Sequence, residues 1–146
     1  MKLSKSGEYA LRALIFLALR YNKNKDAIVK IQEISLGERI PKKFLESILL
    51  KLKKAGILKS SRGTGGGYSL NKAPEEITLA QVIRIIDGPL APLGCASVTA
   101  HVYCPEEKNC GLQKVMKDVR NAISGILDHY TLHDVLLRTS IANEDG

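Results

Sequence analysis

The stretch from Pro41 to Leu70, PKKFLESILLKLKKAGILKSSRGTGGGYSL, constrains the chain more than any other. Pro41 opens it, and proline's fixed φ suits the first turn of a helix. Phe44, Leu45, Ile48, Leu49 and Leu52 recur with a helical period and predict one apolar stripe. Lys42, Lys43, Glu46, Ser47 and Lys54 fall off that stripe, so the opposite face is polar and mostly basic. Ala55-Gly56 ends the helix, because glycine takes the left-handed conformation needed just past a C-terminus. Ile57 to Arg62 and Tyr68 to Leu70 then read as two short strands of a hairpin, joined by a Gly63–Gly67 loop whose glycines supply positive φ. A basic helix followed at once by a basic-tipped hairpin implies a winged helix-turn-helix, which reads duplex DNA. RGTGGGY is not a phosphate cradle of the P-loop kind, since no Gly-Lys-Ser/Thr follows and no helix opens there.

Charge supports that reading. The 146 residues carry a formal net charge of +7, which favours a polyanionic partner. Aromatic residues make up 5% with no Trp, too few for a base-stacking platform on single strands, so backbone contacts to a duplex fit better. The N-terminal MKLSKSGEYALRALIFLALRY has the basic start and apolar run of a signal peptide, but Glu8 and Arg12 interrupt it. No other stretch approaches the ~18 apolar residues of a membrane span. The expectation is a cytoplasmic protein with no membrane partner, and the odd count of three cysteines argues against a disulfide framework.

Taken in order, Ser4 caps a first helix running to about Arg20, with Leu11, Leu14, Ile15, Ala18 and Leu19 on its buried side. A second, short helix spans Ile31 to Leu36, and Gly37 to Ile40 turns the chain into the reading helix. After the hairpin and a polar linker, Asn71 to Glu76, the Thr78–Gln81 pair forms a capping box for a helix from Ala80 to Ile86, which Asp87-Gly88-Pro89 stops. From Gly88 to Cys110 the chain shows no clear period and holds Cys95, Cys104 and Cys110. Long loops of this kind are functional or disordered, and the cysteines favour function. Leu112, Val115, Met116, Val119, Ile123, Ile126 and Leu127 mark one stripe on a long helix, predicted to pack on its twin in a homodimer. Its other side carries Lys114, Lys117, Asp118, Arg120 and Asn121. Thr131 to Asp134 starts a last short helix, and Asn143 to Gly146 reads as a polar tail. The expected fold is mainly α with one small β-hairpin. It divides into a winged module (1–87), a cysteine loop (88–111) and a dimerisation region (112–146).

Three clustered thiols in a reducing compartment suit a metal or redox site, with buried or loop thiols as the plain alternative. Iron–sulfur clusters usually take four thiolates, and zinc takes Cys₃His or Cys₃-carboxylate sets, so spacing alone leaves both open with one ligand missing. Glu8, His101, His129 and His133 are the candidates for that ligand. No nucleophile, base or paired-carboxylate constellation is visible, so an enzyme reading rests on nothing.

Several segments together resemble the IscR/NsrR/CymR family of bacterial regulators. These are PKKFLE at 41–46, LKKAG at 52–56, RGTGGGY at 62–68, LSKSGEYALRAL at 3–14 and ITLAQVIRIIDGPLAP at 77–92. The resemblance runs from Met1 to about Leu137 and implies a dimeric winged-helix transcription factor on a palindromic operator in double-stranded DNA. It also implies a cysteine-ligated iron–sulfur cluster, 2Fe–2S or 4Fe–4S, in the loop before the dimer helix, on Cys95, Cys104 and Cys110. Some members take an acidic ligand near the position of Glu8 from the partner subunit. Members without a cluster sense through a protein partner or small molecule instead, and a redox or metal-binding interaction protein is the reading from another class. Carried over by position, Glu46 discriminates DNA sites and Arg62 enters the minor groove, with Lys42, Lys43, Ser47 and Lys59 completing the expected contacts. The chain departs from the better-known pattern in its long first cysteine gap, in Gln113 where one subgroup has a histidine, and in Arg39 where glycine is frequent.

Overall fold

The computed structural model describes residues 2–145, with side-chain detail through residue 139. Six helices and one two-stranded antiparallel sheet follow in the order α1 (Lys5–Lys23), α2 (Ile31–Glu38), α3 (Lys42–Lys54), β1 (Leu58–Ser61), β2 (Gly67–Leu70), α4 (Leu79–Asp87), α5 (Gly111–Leu127) and α6 (Leu132–Asp145). The fold class is the expected one, and most boundaries lie within a few residues of the sequence reading. α6 is longer than predicted and extends over most of the stretch read as a tail.

Leu14, Leu17, Ile34, Ile40, Leu45, Leu49, Leu52, Ile77 and Leu132 are fully buried and make one core beneath α1 to α4 and the start of α6. Burial of this kind contributes ~25 cal/mol per Å² of apolar surface, which fixes α3 against α1 and α2. The helical period of α3 holds for Leu45, Ile48, Leu49 and Leu52. It fails at Phe44, which is 56% exposed and leans its ring toward Tyr9, centroids 6.5 Å apart. Leu19 likewise turns outward at 50% exposure, so the buried side of α1 is Ala10, Ala13, Leu14, Leu17 and Ala18, with Leu11 and Ile15 at its border.

The short turn between α2 and α3 sets the angle of α3. Arg39 ends α2 in the left-handed region at φ 55°, the backbone state that explains why glycine suits this position. Pro41 sits one residue before the first helical turn, as the N-cap. Gly37, expected in the turn, lies within α2, where a Cβ would come 2.5 Å from the Phe16 ring. Arg12 locks this corner by donating to the Glu38 carbonyl and to the Glu38 carboxylate.

Ser4 caps α1 as predicted, its hydroxyl accepting from the Gly7 N–H at 2.9 Å. The sequence reading missed that Asp87, at the end of α4, accepts from both the Ser4 N–H and the Ser4 hydroxyl. The capping box at Thr78 and Gln81 is present in both directions.

Candidate nucleic-acid interface and cysteine loop

Lys42, Lys43, Glu46, Ser47, Lys59 and Arg62 are all exposed, the first four on α3 and the last two on the hairpin. On a helix of 3.6 residues per turn, Lys43, Ser47, Leu50 and Lys54 point away from the buried line, while Lys42 and Glu46 flank it. Leu50, 46% exposed on this outward face, was missed. Its spacing from Lys43 and Ser47 would have shown it. None of the ion pairs between described residues uses Lys42, Lys43, Lys59 or Arg62, so their charge remains for an outside partner.

The hairpin pairs Leu58 with Leu70 and Ser61 with Gly67. Val29 adds a bridge to Tyr68, exchanging both backbone hydrogen bonds at 2.8 Å. Of the loop glycines only Gly63 has positive φ, at 95°. Gly66 and Gly67 serve close approach instead, for a Cβ would lie 2.3 Å from the Ser61 carbonyl oxygen and 2.4 Å from that of Val29.

The segment from Gly88 to Cys110 is built rather than loose, with short 3₁₀ turns at Gly94–Ala96 and Glu107–Asn109. Side chains of α5 hold its first half: Gln113, 4% exposed, donates to the Cys95 carbonyl at 2.9 Å, and Arg120 donates to the Ala96 carbonyl at 2.6 Å. Arg120 thus leaves the solvated side expected for it. Glu107 holds the second half, accepting from the Cys104 N–H at 3.2 Å and pairing with His101 at 3.0 Å. Partial desolvation raises the Glu107 carboxyl, but the Cys104 N–H and His101 outweigh it and keep the group below the usual carboxylate range.

Cys95, Cys104 and Cys110 are half-buried free thiols. Among the described residues no three His, Cys, Asp or Glu side chains come together in a metal-holding group. The loop takes its order from hydrogen bonds with Gln113, Arg120 and Glu107. Glu8 is paired with Lys5 and Arg12 on a half-exposed stretch of α1, not set in apolar surroundings. His129 stacks edge-on against Tyr130, and His133 lies 3.3 Å from Glu75.

α5 buries only Gln113 within the chain. Leu112, Val115 and Ile126 of its apolar stripe are 57%, 56% and 58% exposed, a patch of the kind that marks an interaction surface. No helix is long and apolar enough to cross a membrane among the described residues.

Known proteins share this arrangement. An rrf2-like HTH-type transcriptional regulator of Rhodobacter capsulatus is 42% identical over 132 residues, covering 88% of each chain. The HTH-type transcriptional regulator NsrR of Bacillus licheniformis is 35% identical, covering 94% of this chain and 93% of its own. The solved structure of CymR, the global cysteine regulator of B. subtilis, superposes with a TM-score of 0.75 at 30% identity, over 92% of this chain and 95% of that one. The pattern of the Rrf2 family, described as iron-dependent transcriptional regulators, matches residues 3–138. The chain belongs to the Rrf2 family of transcriptional regulators.

Proposed function

We propose that two copies of this chain bind a palindromic operator, each setting α3 in a major groove and the hairpin beside it. The single observation that carries this is the face of α3: outward residues Lys43, Ser47 and Lys54, unneutralised by any ion pair, run straight into a wing bearing Lys59 and Arg62. Lysines on phosphates fix register, whereas Glu46, Ser47 and the apolar Leu50 address base edges and thymine methyls. The exposed stripe of α5 supports pairing with a second copy, because a two-fold dimer covers it and presents both reading helices at once. Retardation of the chain's own upstream DNA, titrated with salt, tests the reading. Specific retention that weakens steeply with salt supports it, and equal retention of unrelated DNA at every salt concentration rejects sequence reading.

The cysteine loop is the sensing element of this proposal, through its thiols, a protein partner or a small molecule. A cluster on Cys95, Cys104 and Cys110 with Glu8 of the partner subunit is the second reading, favoured by soft thiolate donors and by the iron dependence in the family's description. When bound, such a cluster supplies a redox- and oxygen-sensitive group beside α5. Protein purified without oxygen tests it: brown colour that each Cys→Ser variant weakens supports a cluster, and colourless protein leaves thiol or partner sensing.

A further inference from the structure

A cavity of about 200 Å³ lies between α4, α5 and the first half of the cysteine loop, lined among others by Arg84, Ser97, Thr99, Arg120 and Asn121. Its two guanidinium groups differ. Arg84 is neutralised by a two-point ion pair with Asp128, at 2.7 and 3.1 Å. Among the described residues Arg120 has only neutral acceptors: the Ala96 carbonyl and the side-chain oxygen of Asn121, which takes two of its N–H groups. Three of its five donors are thereby used, and the residue is half-buried. A cation withdrawn from water without a carboxylate partner is held at a cost that an incoming anion relieves. No carboxylate lines the cavity, while Ser97 and Thr99 add hydroxyl groups and Asn121 an amide.

We propose that this cavity binds a small oxyanion, a carboxylate or a phosphate, through the fork of Arg120. The volume falls below the ~300–1,000 Å³ of sites for drug-sized ligands, so the occupant is a molecule of a few heavy atoms. Arg120 suits it, since the planar fork matches two oxygens of a carboxylate or phosphate at once. On a regular helix the side of α5 holding Gln113, Arg120 and Ser124 lies about 100° around from the centre of its apolar stripe. A second copy seated on the stripe therefore leaves the cavity open. The occupant competes with the Ala96 carbonyl for Arg120, so filling the site loosens the backbone next to Cys95. None of this depends on the DNA reading.

The test is a titration of the ¹⁵N-labelled full chain, followed by NMR, with inorganic phosphate and separately with acetate, each against chloride at matched ionic strength. The expected result is saturable shifts at the amides of Ala96 to Thr99 and at Arg120 Nε, with the tighter ligand of the two identifying the source. Arg120→Gln is expected to lower affinity by about tenfold or more, the loss of one charge-assisted contact. Thr99→Val, at an exposed lining position, is expected to give a smaller loss and keeps the test decisive should Arg120→Gln not fold. Linear, chloride-like shifts in the wild type, or unchanged affinity in a folded Arg120→Gln variant, overturn the proposal.

Discussion

Arg39 and Arg62 place the same side chain in opposite settings, one strained by its backbone and one free at a wing. A left-handed non-glycine residue costs roughly 1–2 kcal/mol, and glycine's extra unfolded-state freedom offsets roughly 0.5–1 of that. Arg39→Gly should therefore raise stability by about 0.5 kcal/mol, measured by urea unfolding, because the φ of 55° no longer opposes a Cβ. Arg62→Ala should leave stability untouched, since the side chain is exposed and in no ion pair, and weaken specific DNA binding by roughly 1–3 kcal/mol. Unchanged affinity in that variant removes Arg62 from the interface. Asp128 carries a pH signature. Its hydrogen bond with Arg84, against a smaller opposing effect of desolvation, lowers its pKa. The stabilisation is thus present above the ordinary aspartate pKa and is lost as pH falls through the lowered one. In an Asp128→Asn variant the acid limb of a melting-temperature profile should flatten.

At the scale of elements, α5 is the helix whose surface its own chain leaves unfinished. Val119→Glu with Ile123→Glu should yield a monomer by sedimentation, and because neither side chain is fully buried the winged module should keep its melting transition. Operator affinity should fall, since separate half-sites lose the gain in effective concentration. A variant still dimeric would place the interface elsewhere. The stripe itself was legible, because seven apolar residues repeat with one period over roughly four turns and nothing breaks it. Phe44 was not, because periodicity gives direction around an axis but not where the neighbouring helix stops. Its ring lies at the border that Tyr9 only partly covers. The capping residues Ser4, Thr78 and Gln81 read correctly because caps act within one turn. Asp87 did not, because its partner Ser4 lies far away in sequence and no local rule joins them.

Across the whole molecule, the +7 charge and the pairing pattern act together. Carboxylates hold elements to one another, as in Arg12–Glu38, Arg20–Glu33 and Arg84–Asp128, while the cations of α3 and the hairpin make no ion pair among the described residues. Each phosphate contact those cations make should add about 0.9 to the slope of log affinity against log salt. Lys42→Gln with Lys43→Gln should then lower that slope by roughly 2 without changing which sequence is preferred. The sequence alone could assign the cysteines to a loop, but not what orders it, because hydrogen bonds that Gln113 and Arg120 donate to backbone carbonyls, and that Glu107 accepts from a backbone N–H, leave no periodic trace.

The bridge between Val29 and Tyr68 has a consequence for hydrogen exchange. It stitches the paired part of β2, one residue short of the end of the ladder, to the segment between α1 and α2, so the Val29 and Tyr68 amides should exchange only when the globule as a whole opens. Beyond Ser61 and Gly67 no ladder remains, and apart from the Gly66 N–H, which donates to the Gly63 carbonyl, the tip amides should exchange near the rate of an open chain. Arg62 stands at that boundary. Operator DNA should therefore slow exchange at the tip far more than in the paired strands, recording a wing that arrives with its strands anchored and gains the order of its tip on binding.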